Sequence, residues 1–163
     1  MSTCNFQLNN GVVIMRQELI TKTYLKFNEL NKDQQSKVID KMRDINVDHS
    51  WFDYSIEDFT AKLTKLGFYN ISVEFSGFSS QGDGARFNAS HKYRGDVTVT
   101  GRYYHNMSMR CDNPVTLQVA RRLAAKLYKD LEIEYNYLTS DECIIETIES
   151  NEYEFDQNTL QIV

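Results

Sequence analysis

At 163 residues, with 41% apolar and 25% charged side chains, the chain suits one globular domain (1–163) with a sizeable core. One proline and seven glycines exclude collagen-like and low-complexity classes, and no apolar run nears the roughly 18 residues a membrane span needs. The net charge of −5 is uneven: nine acids and no Lys or Arg follow residue 130, which leaves residues 1–130 at +4.

The start, MSTCNFQLNN, is polar and reads as a flexible segment over 1–10; it lacks the basic head and apolar centre of a secretory signal. Cytoplasm is the default location. Residues 12–27, VVIMRQELITKTYLKF, are β-prone and predict one or two strands. Asn31 with Gln34 three residues on predicts a capped helix, with Val38, Ile39, Met42 and Ile45 along its apolar stripe. A second helix is predicted from Ser55 as N-cap, with Ile56, Phe59, Leu63 and Leu66 facing inward and Gly67 as its left-handed stop.

The period then falls to two. Ile71, Val73 and Phe75 alternate with polar residues, as do Phe87, Ala89, His91 and Tyr93. After a turn at Gly95-Asp96, Val97, Val99, Gly101, Tyr103 and His105 share one face, and a further strand is possible through Met107 and Met109. Asn113-Pro114 opens a long helix with Leu117, Ala120, Ala124, Leu127 and Leu131 buried. Thr139 to Glu142 reads as a capping box for a last helix with Ile144, Ile145 and Ile148 inward. The fold class expected is α+β, a single domain in which an antiparallel meander packs against about four helices.

The densest candidate is FSGFSSQGDGARF, residues 75–87. It lacks the Lys-Ser/Thr of a phosphate-binding P-loop and the oxygen ligands of a calcium loop. Its simplest reading is a hairpin in which glycines permit positive φ and Asp83 bonds nearby amides. The functional alternative joins Ser80, Gln81 and Asp83 to Arg102, Tyr104 and His105 across the meander. A guanidinium at Arg102 binds phosphate bidentately, and a histidine beside a carboxylate serves as general base. Trp51, Phe52 and Tyr54 are dense enough to stack a nucleobase or to pack a helix entry. Cys4, Cys111 and Cys143 form no CxxC pair, and His49 and His91 have no ligand spacing, so neither metal nor cofactor is expected. The acidic tail, with Glu142, Glu146 and Glu149, suggests a face that meets a basic partner or imitates nucleic acid, or a solvated helix face.

The run FSGFSSQGDGARF, followed by GRYYHN and by LEIEYNYLTSDECIIETIESNEYEF, resembles a family of small phage and prophage proteins described as "antitoxin of toxin-antitoxin stability system". The likeness extends over about residues 24–156 and includes FNELNKDQQSKVIDKMRDINVDHSWFDYSIEDF; where members often carry Trp after the second Phe of FxGF, this chain has Ser79. The resemblance implies a viral or prophage origin, residence in the bacterial host cytoplasm, and action against a host toxin or defence factor. Two readings follow. One is a non-enzymatic protein that neutralises such a factor by stoichiometric binding, steered by its acidic tail. The other is a protein that binds, sequesters or degrades a small nucleotide-like ligand.

Overall fold

The computed structural model describes residues 4–9, 12–17, 22–92, 95–101 and 114–163. The fold is α+β, with four α helices and antiparallel strands among the described residues. Contacts divide the chain into two compact units, Met1–Met42 with Ile145–Val163, and Arg43–Ile144. No helix among the described residues is long and apolar enough to cross a membrane.

In the first unit, β1 (Cys4–Asn9) pairs antiparallel with β2 (Val12–Gln17); β1 thus occupies most of the segment read from the sequence as a flexible start. β3 (Tyr24–Lys26) pairs with β7 (Glu154–Asp156). Between them in sequence lies α1 (Lys32–Lys41), opened by the expected capping box: Asn31 Oδ1 accepts from the Gln34 N–H at 3.0 Å, and Gln34 Oε1 accepts from the Asn31 N–H at 3.1 Å. The helix ends before Ile45, which leaves Val38 and Ile39 as its buried stripe beside the cap residue Met42. Lys41 Nζ donates to the carbonyls of Thr159 and Leu160, tying the end of α1 to the turn after β7.

The second unit holds α2 (Asp53–Lys65), then β4 (Phe68–Phe75), β5 (Ala85–His91) and β6 (Gly95–Gly101) in a three-stranded meander, and α3 (Pro114–Leu138). Both α2 and α3 pack on the sheet. Leu63, Phe87, Val99, Ala120, Ala124 and Leu131 are fully buried there, as the two periodicities require. Each of the larger side chains among them contributes roughly 1.5–3 kcal/mol by leaving water. Gly67 stops α2 at φ +90°, a backbone setting that favours glycine. α4 (Asp141–Ser150) follows, with the boundary between the units falling inside it.

Four local expectations are corrected. Leu66, expected to face inward, is the C-cap residue of α2 and stands 47% exposed, past the last turn that packs on the sheet. Ser55 lies inside α2, and its hydroxyl donates to Glu134 Oε2 at 2.8 Å instead of capping the helix. Gly95 and Asp96 are strand residues and not a turn, because the β5–β6 ladder runs on to pair them with His91 and Ser90. For α4 the capping oxygen is Ser140 Oγ, which accepts from the Cys143 N–H at 3.3 Å, while the Thr139 hydroxyl turns back to the Tyr135 carbonyl at 2.8 Å. The strand expected through Met107 and Met109 lies outside the described residues.

Candidate functional site

Trp51 and Phe52 stand at the entry to α2, Phe75 ends β4, Phe78 lies in the β4–β5 loop, and Tyr135 is near the end of α3. Folding gathers these five rings. The Phe78 ring centre is 5.0 Å from that of Tyr135, 6.1 Å from Phe75 and 6.2 Å from Trp51; Phe52 lies 5.1 Å from Phe75. Most of the pairs are edge-on or tilted, which suits the quadrupoles of aromatic rings. The rings pack on the margin of the core, stay half-buried, and border an open pocket of about 400 Å³. Ser76, Gly77, Ser79 and Asn136 complete the lining.

Among the described residues no charged side chain lines this pocket, and neither the Trp51 Nε1–H nor the Tyr135 hydroxyl has a hydrogen-bond partner. Apolar walls with a few uncharged polar groups are the usual make-up of a small-molecule site, and the volume falls in the usual range. The arrangement can stack a planar ring and hydrogen-bond its edge.

The nine-residue β4–β5 loop, 76–84, forms one side of the pocket. Its ends are joined by the Ser76 N–H donating to the Gly84 carbonyl at 3.0 Å. Within it, Asp83 Oδ2 accepts from the Ser79 N–H at 2.8 Å and from the Ser80 N–H at 2.6 Å. The expectation that Asp83 bonds nearby amides is therefore met. The expectation of left-handed glycines is not: among the described residues Gly67 is the only glycine at positive φ. What the loop asks of a glycine is room, since a Cβ on Gly77 would lie 3.2 Å from Asp83 Oδ2.

Of the residues expected to bind, Ser80 and Gln81 are exposed on this loop and Asp83 is half-buried within it. Arg102, Tyr104 and His105 lie outside the described residues. His91 is buried against Phe68, with Nε2 3.3 Å from the Leu66 carbonyl, and so completes the α2–β4 corner. Trp51 and Phe52 pack the entry of α2 against the core, as one of the two sequence readings expected, and also line the pocket, whereas Tyr54 is 84% exposed and does neither. Tyr135 and Asn136 had no sequence signal, because only the packing of α3 brings them to the loop. Glu142, Glu146 and Glu149 recur at near-helical spacing on α4, and all three are exposed. Among the described residues none of these three carboxylates has an ion-pair or hydrogen-bond partner. No group of three His, Cys, Asp or Glu side chains among the described residues is placed to hold a metal ion.

A protein-family model described as a domain of unknown function (DUF8835) matches residues 51–99. The matched segment begins at Trp51 and carries Phe52, Phe75, Phe78 and the whole Asp83 loop. No curated protein and no solved structure matches the chain.

Proposed function

We propose that this protein acts by binding and sequestering a small nucleotide-like ligand, whose planar base enters the Trp51 pocket. The observation that carries the reading is the five-ring wall around about 400 Å³, with the Trp51 N–H and the Tyr135 hydroxyl free to meet a base edge. Stacking on aromatic side chains contributes roughly 1–3 kcal/mol per base and tolerates different bases. In this reading the exposed Ser80 and Gln81 offer further hydrogen bonds. Arg102, Tyr104 and His105, which lie outside the described residues, stay binding candidates on their chemistry alone, a guanidinium being suited to bidentate phosphate binding. Together with the resemblance to phage and prophage proteins, the setting is a counter-defence role in the bacterial host cytoplasm.

Trp51 is the chain's only tryptophan, so its emission reports on the pocket directly. Titration with adenosine, guanosine and uridine should quench it saturably, with at least one Kd below about 1 mM, equivalent to some 4 kcal/mol. The matching monophosphates should bind more tightly, and Arg102→Ala should erase that difference alone. Linear, unsaturable quenching by every nucleoside and monophosphate would reject the reading.

A second reading, stoichiometric neutralisation of a bacterial toxin or defence factor, is favoured by the exposed, unpaired Glu142, Glu146 and Glu149. Charges of one sign on a surface steer a basic partner and chiefly raise the association rate. Capture from phage-infected bacterial lysate should retrieve a basic protein at low salt, and neutralising all three residues to Gln should slow its association more than it speeds release. Retention unchanged by salt and by these substitutions would remove the acidic face from the account.

A further inference from the structure

We propose that Asp83 is the positioning residue of the aromatic pocket: its carboxylate sets the fold of the 76–84 loop, and thereby the place of Phe78 and Ser79 in the pocket wall. What the pocket binds rests on the reading above; how the pocket is shaped does not. Three sets of contacts converge on this residue, two of them on its carboxylate. Oδ2 accepts from two consecutive N–H groups, Ser79 at 2.8 Å and Ser80 at 2.6 Å, as a charged acceptor does most strongly. The Asp83 N–H returns to the Ser80 carbonyl at 3.1 Å. Oδ1 accepts from the Ser76 hydroxyl at 3.4 Å, and that same hydroxyl oxygen accepts from the Gly84 N–H at 3.2 Å. Residues 77–80 therefore wrap one carboxylate, and Gly77 lies so near it that a side chain there would meet Oδ2.

Phe78 is in the middle of this wrapped segment. Besides its pocket neighbours it reaches Tyr128, with ring centres 5.6 Å apart, so the loop's inner bonds and its outward ring act on the same few backbone torsions. Losing the carboxylate frees two adjacent N–H groups to seek water, which draws the backbone beside Phe78 outward. Asp83 touches no part of the pocket lining except through this backbone and the Ser76 hydroxyl, and that is why it counts as a positioning residue.

The test uses the full chain without ligand, then with adenosine or whichever nucleoside the wild type binds. Acrylamide quenching of Trp51 should rise about two-fold in Asp83→Ala as the pocket wall loosens, with a far smaller change in the melting temperature. Gly77→Ala should raise quenching in the same direction but by less, while keeping the carboxylate, because its Cβ, 3.2 Å from Oδ2, must push that oxygen aside by a few tenths of an ångström. Asp83→Asn should fall between wild type and Ala, since its amide oxygen still accepts from the two N–H groups. Gly82→Ala, whose Cβ meets nothing within 4 Å, should be silent. If Asp83→Ala fails to fold, quenching in Gly77→Ala and Asp83→Asn decides between the outcomes. Nucleoside affinity, where present, should drop about ten-fold with Asp83→Ala, equivalent to about 1.4 kcal/mol. Altered quenching in a protein that binds no nucleoside supports the positioning role while the ligand reading fails. Quenching equal to wild type in Asp83→Ala and Gly77→Ala overturns the positioning role, whatever the wild type binds.

Discussion

Asp83 in the β4–β5 loop and Asp156 at the end of β7 each gather two neighbouring N–H groups on one carboxylate oxygen. For Asp156 the donors are Asn158 and Thr159, both at 3.0 Å to Oδ1, with Lys22 Nζ 3.7 Å from Oδ2. The device is the same, but the setting differs. Asp156 is only 5% exposed, in a strand paired with β3, beside the fully buried Phe155. Asp83 is half-buried in a nine-residue loop whose far side is an open pocket. A carboxylate that organises backbone inside a core secures stability, whereas the same carboxylate beside a pocket sets the shape of a surface that a ligand can use. Burial, not bonding pattern, separates the two roles.

The larger expected effect lies with Asp156. The Thr159 and Asn158 N–H groups, then the Thr159 hydroxyl and Lys22, outweigh burial and hold its carboxyl below the ordinary value of 3.8. A carboxyl whose folded pKa is lowered releases its proton more readily in the folded state, so it adds stability above its unfolded pKa. That contribution is lost as pH falls through the lowered folded value. Asp156→Asn should therefore reduce the melting temperature at pH 7, and the gap from wild type should close as pH drops below about 3.8. Asp83→Asn should produce a smaller loss at pH 7. Denaturation curves across pH would check both, and equal losses from the two substitutions would dissolve the contrast between core and pocket aspartates.

Much of the local fold was open to reading in the chain. Phe59 and Leu63 of the α2 stripe, its Gly67 stop, the Asn31–Gln34 capping box and the Pro114 start are all local signals, and local geometry honours them, whereas Leu66 caps the helix and is exposed. The two missed caps have a physical reason. Ser55 finds a carboxylate on α3, a partner that no short window contains, and Ser140 takes the cap one residue later than Thr139 because Thr139 bonds back into α3. The site divides in the same way. QGDG is conspicuous in the chain, and its aspartate makes the local amide bonds that a tight turn predicts. The pocket depends on Tyr135 meeting Phe78 across the fold, and sequence spacing carries no trace of that meeting.

The smallest expected effect comes from a second pair of turns, at the ends of α2 and α4. Gly67 closes α2 at φ +90°, and its missing side chain also leaves room for His91, since a Cβ there would lie 3.3 Å from His91 Nε2. At the end of α4 the Tyr153 N–H donates to the Ile148 carbonyl at 3.2 Å, and the Glu152 N–H to the Glu149 carbonyl at 3.1 Å. This is the double-bonded helix stop that glycine usually provides, yet Glu152 occupies its left-handed position at φ 51°. Holding a non-glycine residue there costs roughly 1–2 kcal/mol, and glycine's greater freedom in the unfolded chain returns about 0.4–1 kcal/mol of that. Glu152→Gly should therefore stabilise the protein by about 0.5–1 kcal/mol, or about 1–4 °C in a thermal melt. A result of zero or a loss would mean that the Glu152 side chain offsets its own strain. The place to look would then be the cleft of about 340 Å³ that it lines with Lys26, Glu149 and Tyr153.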